Sequence, residues 1–228
     1  MVVTAITVSP RRTGRFDIAV DGAHAATLSL EAIERLKLAV GTSIDARLEA
    51  ALARETGIVA TYDRALNMIA LRARASAELR RSLVRKGEPA DFVDVAIERL
   101  VRAGFLDDAS FARQFTRSKA VGAGLSRRRL RQELARRGIA RDVAEASIDQ
   151  VFDEEKIDEQ STLELVARKK MQSLARLDVT VQRRRLYAFL VRRGYDLDDI
   201  ARTLQTVKAT AHTGEDGRER PRNASDSE

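Results

Sequence analysis

Two short runs near the start of the chain alternate apolar and polar side chains. Ile6 and Val8 alternate with Thr7 and Ser9, and Phe16, Ile18 and Val20 alternate with Asp17 and Ala19, a period of two that predicts β-strands. Pro10 to Gly14 predicts the turn between them. Asp21-Gly22 predicts a two-residue hairpin, because the type I′ turn needs positive φ at both central positions. The first segment therefore reads as a small β-meander. Ser29 then predicts the N-cap of a helix carrying Ile33, Leu36 and Leu38 and ending at Gly41, followed by a second helix over about residues 44–54.

Beyond this segment the apolar positions recur every three and four residues, and the pattern itself repeats three times. Three glycines each follow two basic residues: Arg85-Lys86-Gly87, Arg136-Arg137-Gly138 and Arg192-Arg193-Gly194. Eight and four residues before each glycine stands a leucine: Leu79 and Leu83, Leu130 and Leu134, Leu186 and Leu190. An acid follows each glycine by four (Asp91, Asp142, Asp198). Apolar side chains follow by ten (Ile97, Ile148, Leu204) and by thirteen (Leu100, Val151, Val207). Each glycine predicts the end of one helix and the approach to the next. A further helix precedes each pair, over about residues 62–75, 109–121 and 157–175. The fold class is mainly α: an elongated tandem array of three three-helix repeats behind a small N-terminal β-meander with helices. The expected boundaries are 1–60 for the N-terminal extension, 61–106, 107–154 and 155–207 for the repeats, and 208–228 for a disordered tail.

Composition supports helix over sheet, since aromatic residues are 4% and Trp is absent. Without cysteine there is neither a disulfide framework nor a thiolate metal site. No signal-peptide pattern or membrane-length apolar run is present, so a cytoplasmic protein with no membrane partner is expected. Charge is uneven along the chain. Residues 64–207 hold 30 basic and 21 acidic side chains, a net +9, whereas the segments on either side are each at −1. That asymmetry points to a polyanionic partner such as nucleic acid.

The sharpest basic feature is SRRRLRQELARRG, residues 126–138. Ser126 is the expected N-cap, so Arg127, Arg128 and Arg129 fall in the first turn, where a cation opposes the helix dipole by roughly 0.3 to 1 kcal/mol. Arg183, Arg184 and Arg185 repeat the inversion in the third repeat, whereas the first has Ser76, Ala77 and Glu78 there. Converging guanidinium groups at a helix start make an anion site, and an external phosphate or carboxylate is the expected occupant. The candidate binding set is Arg127, Arg128, Arg129, Arg131, Arg136, Arg137, Lys169, Lys170, Arg183, Arg184, Arg185, Arg192 and Arg193, with lesser parts for Arg80, Arg81, Arg85 and Lys86. The basic pairs before the glycines also have a purely structural reading as partners of a helix C-terminus, and the acids after them as dipole residues that need no partner.

Other constellations read as structure. In GFLDDASFARQF, residues 104–115, Gly104 closes a helix, Asp107 or Asp108 caps the next, and Phe111 and Phe115 stack one turn apart. Gly122-Ala123-Gly124 lacks the context of a nucleotide cradle and reads as a turn into the arginine helix. His24 and His212 stand alone, so neither catalytic residues, metal, cofactor nor a small-molecule substrate is expected. Phe92, Phe105, Phe152, Tyr187, Phe189 and Tyr195 fall mainly on apolar stripes, which makes phosphate contact rather than base stacking the expected binding mode.

Two of these segments resemble one family. GFLDDASFARQF is similar to the G-[YF]-L-D-D-x-x-F-A signature of the RecX regulatory proteins, and GLSRRRLRQELARRGI to their R-L-x-x-E-L-x-x-[KR]-G-I segment. The resemblance covers about residues 60–207 and is weaker in the third repeat, while ITVSPRRTGRFDIAVDG and LKLAVGTSI resemble the β-containing extension of longer members. It implies a non-enzymatic tandem repeat protein that lies in the groove of the RecA filament on single- or double-stranded DNA and restrains ATP hydrolysis and strand exchange. Two other readings stay open: a helix-turn-helix transcription factor, which lacks here a recognition helix with base-reading Asn or Gln, and a salt-insensitive protein-interaction array without DNA contact.

Overall fold

The computed structural model describes residues 1–10, 12 and 14–213, with backbone alone for residues 208–213. Strands β1 (Val3–Val8), β2 (Arg15–Val20) and β3 (Ala23–Ser29) form one antiparallel sheet in chain order. Val20 pairs with Ala23 across Asp21 and Gly22, whose φ of 47° and 82° are those of the expected hairpin turn. The inward residues Val3, Ile18, Ala26 and Leu28 are buried with Ile33, Leu38, Ile44 and Leu52.

Helix α1 (Leu30–Arg35) is capped as expected by Ser29, whose hydroxyl accepts from the Ala32 N–H at 3.2 Å. It ends earlier than Gly41, because Lys37 adopts a φ of 52°. The larger departure is α2 (Ala46–Leu71), which runs unbroken where two helices were expected. Gly57 does not break it. The missing side chain there makes room for the ring of Phe92, which an added Cβ would strike. Asp45 caps α2 by accepting from the Leu48 N–H at 2.7 Å, and the helix spans residue 60, where the N-terminal extension was expected to stop.

Helices α3 (Ser76–Arg85) and α4 (Ala90–Arg102) complete the first repeat, α5 (Asp108–Ala123), α6 (Arg127–Arg137) and α7 (Arg141–Glu154) the second, and α8 (Glu159–Ser173), α9 (Val179–Arg192) and α10 (Leu197–Thr213) the third. The tail expected from residue 208 begins inside α10, and residues 214–228 lie outside the described ones, as does the side chain of His212. Two compact units result, Met1–Asp108 and the residues from Ala109 onward.

The repeat motif has a direct physical basis. All six motif leucines are fully buried, and Gly87, Gly138 and Gly194 all have φ between 84° and 92°. In the second repeat the Gly138 N–H bonds the Ala135 carbonyl at 2.9 Å and the Ile139 N–H bonds that of Leu134 at 3.1 Å, with both Leu134 and Ile139 buried. This is a left-handed C-terminal cap whose hydrophobic clasp needs a leucine four residues before the glycine. Gly87 and Glu88 make the same two bonds to Val84 and Leu83.

Candidate nucleic-acid interface

Ser126 caps α6 as expected, accepting from the Arg129 N–H at 3.1 Å. The anion expected at this helix start comes, however, from within the chain. Glu159, the first residue of α8, accepts from the Arg127 N–H at 3.2 Å. At the equivalent place in the first unit, Asp108 accepts from the Ser76 N–H at 2.8 Å, again across 32 residues. Both helix starts receive a carboxylate where backbone donors are free and the dipole is positive.

The α6 arginines are largely engaged as well. Arg127 pairs with Asp149 and lies over the buried Phe152 ring, 4.1 Å from its centroid. Arg129 reaches Glu133 at 2.6 Å, which Arg137 and Arg136 also approach at 2.9 and 3.4 Å. This clasp, led by the Arg137 hydrogen bond, holds the Glu133 carboxyl below the ordinary glutamate value. Arg137 also stacks on Phe115, at 4.3 Å, and Phe115 lies stacked on Phe111.

A second pairing follows the repeat. Seven residues before the glycine stand Arg80 and Arg131, and seven after it stand Asp94 and Glu145. Arg80 grips Asp94 at 2.6 and 3.1 Å, and Arg131 meets Glu145 at 2.8 Å. The Arg80 bond lowers the Asp94 carboxyl. Asp91 pairs with Arg54 and Asp199 with Arg202, so several of the acids expected to need no partner have one. Arg81 is also engaged.

What remains is concentrated on α9. Arg183, Arg184, Arg185 and Arg192 are exposed with no partner among the described residues, as are Arg128 and Lys169 in the same unit and Arg85 and Lys86 in the first. Asp178 caps α9 through the Thr180 N–H at 2.8 Å, which places the arginine triplet in the second turn, past the strongest part of the dipole. Lys170 and Arg193 flank the Phe189 ring at 5.2 and 4.0 Å. Burial lowers the Arg193 pKa, and its Nε is buried without a hydrogen bond. With Lys169 these side chains edge a cavity of about 290 Å³ that Gly122, Gly124 and Thr162 help to line.

The second and third repeats are locked at this place. The Ser126 N–H bonds the Arg193 carbonyl at 3.1 Å, and a Cβ on Gly194 would lie 2.6 Å from Arg129 Cβ. The buried Tyr195 hydroxyl donates to the Gly124 carbonyl at 3.0 Å, and burial pushes its pKa to about 12. Gly124, at φ 58°, turns the chain into α6 as expected. The N-terminus of α6 thus meets the carbonyl end of α9, a further internal source of negative potential.

Among the described residues no group of three or more His, Cys, Asp or Glu is placed to hold a metal ion, and no helix is long and apolar enough to cross a membrane. Two aromatics depart from their expected core positions: Phe105 and Tyr187 are 57% and 43% exposed.

Family models for the first, second and third three-helix domains of RecX match residues 62–100, 107–148 and 158–204. A regulatory protein RecX of Amycolatopsis mediterranei is 40% identical over 129 residues, covering 57% of this chain and 72% of its own. One from Levilactobacillus brevis is 28% identical over 211 residues, covering 92% and 78%. A crystal structure of regulatory protein RecX shares the fold at a TM-score of 0.70 with 19% identity, covering 91% of this chain and 98% of its own. That of RecX from Lactobacillus salivarius does so at 0.52 with 18% identity, covering 67% and 97%. In motif, repeat architecture and sequence, this chain belongs to the RecX family of regulatory proteins.

Proposed function

We propose that this chain regulates the RecA recombinase, binding in the groove of the RecA–DNA filament and inhibiting ATP hydrolysis and strand exchange, without chemistry of its own. Family membership supports the regulatory role. The observation that carries the DNA contact is the set of exposed, unpartnered cations on α9: Arg183, Arg184, Arg185 and Arg192. Arg128 and Lys169 add to them, and Arg85 and Lys86 are the equivalent free cations of the first unit. Free guanidinium groups bind phosphate by releasing counterions from it, so affinity falls with salt. Arg80, Arg127, Arg129, Arg131, Arg136 and Arg137 must each surrender a carboxylate first, so their contribution is secondary. Arg81, Lys170 and Arg193 are likewise engaged.

The test is RecA-dependent ATP hydrolysis on single-stranded DNA, titrated with this chain. Hydrolysis should fall, and the joint replacement of Arg183, Arg184 and Arg185 by alanine should shift the curve to higher protein concentration. Undiminished hydrolysis at saturating protein would overturn the regulatory reading. Inhibition that ignores both salt and the triple replacement would favour the protein-interaction reading, to which the internal pairing of the α6 arginines also lends weight.

A further inference from the structure

Position minus seven of the repeat, counted from the glycine, differs in kind between repeats. In the first two it is an arginine tied across to an acid at plus seven, Arg80 to Asp94 and Arg131 to Glu145. In the third the two positions are Tyr187 and Ala201, so the internal ion pair is gone. Tyr187 is left 43% exposed, and Val191, one turn further along, is 41% exposed, while Leu186 and Leu190 are fully buried on the inner side of the helix. One turn before Tyr187, at the helix-neighbour spacings of four and three, stand Arg183 and Arg184, both exposed and without a partner among the described residues. The outer surface of α9 therefore presents a phenol ring, an aliphatic neighbour and two free cations in a row.

An exposed aromatic face bordered by free arginines suits a ligand that combines flat apolar rings with regularly spaced anions. Single-stranded nucleic acid has this composition and shows its base faces, whereas a duplex hides them in its own stack. We infer that Tyr187 stacks on a base of single-stranded nucleic acid whose neighbouring phosphates are held by Arg183 and Arg184. This rests on the phosphate-binding reading above and adds to it a preference for strand type and the residue that sets it.

The experiment is fluorescence anisotropy of the full chain with a labelled oligothymidylate, the same strand made abasic, and a duplex of matched length. Tyr187→Ala should weaken binding to oligothymidylate about five- to 100-fold and Tyr187→Phe should keep it, while affinity for the abasic strand and the duplex changes by less than about twofold in either variant. No loss on oligothymidylate, or an equal loss on all three ligands, overturns the inference and leaves the phosphate reading standing. Failure of the unaltered chain to bind any of the three at low salt overturns both.

Discussion

Arg131 Nε lies 2.8 Å from Glu145 Oε2, and Arg80 holds Asp94 from the same repeat positions. A cation so placed is already neutralised, and binding phosphate would exchange one anion for another. Arg131→Ala should therefore change DNA affinity by less than about twofold, whereas joint replacement of Arg183, Arg184 and Arg185 by alanine should reduce the slope of log affinity against log salt by about 2 to 3. Binding isotherms over a salt series measure both. A slope reduced by about 1 in Arg131→Ala would return that side chain to the interface.

Glu159 supplies the carboxylate at the start of α6, where three arginines crowd and the dipole is positive. Its loss leaves backbone donors and cations facing one another. Glu159→Ala should cost about 1 to 2 kcal/mol of stability, above the effect of a surface substitution. Chemical denaturation checks this, and an unchanged midpoint would show that the cap contributes nothing.

Gly87 and Gly194 share a left-handed backbone but not their surroundings. Nothing lies within 4 Å of a Cβ added at Gly87, so alanine there should cost about 1 kcal/mol, the conformational penalty alone. At Gly194 the same Cβ meets Ser126 Oγ at 2.7 Å and Arg129 N at 3.0 Å, both fixed by the α6 cap. Gly194→Ala should lose a further 1 to 3 kcal/mol or so, from overpacking. Equal thermal shifts in the two variants would refute the close approach.

Tyr195 joins the second and third repeats through its bond to Gly124. Its phenol pKa rises from 10.0 to about 12 because burial disfavours the phenolate. The folded state thus retains the proton more tightly than the unfolded one. This contribution is complete below pH 10 and disappears as pH rises toward 12, a loss of about 2 kcal/mol. Denaturation between pH 9 and 12 should show that decline, and Tyr195→Phe should flatten it.

The buried leucines and the left-handed glycines were legible because one local motif, the C-terminal cap, dictates both. The unbroken α2 was not legible: Gly57 sits inside it and makes room for Phe92, a partner 35 residues away that no local pattern announces. The α6 arginines read as facing an external anion, and the structure sets carboxylates of the chain itself beside them. That source was hidden, because Glu159 meets Arg127 only after the second and third repeats fold against each other. The Arg131–Glu145 and Arg80–Asp94 pairs did leave a sequence signal, an opposite charge at minus seven and plus seven, once the repeats are aligned. Tyr187 read as core because it adjoins Leu186, and helical spacing alone does not decide which side of a boundary a residue falls on.

The borrowed carboxylate at α6 also bears on how the interface should be mapped. A fragment cut before residue 159 would keep Arg127, Arg128 and Arg129, with Asp149 and Glu133, but lose the carboxylate on the Arg127 N–H, leaving that backbone donor open at the positive end of the helix. Such a piece would lack the α9 cations yet offer polyanions a helix start that the intact chain keeps closed, and a survey by truncation would credit the second repeat with an attraction that the intact chain spends on holding itself together.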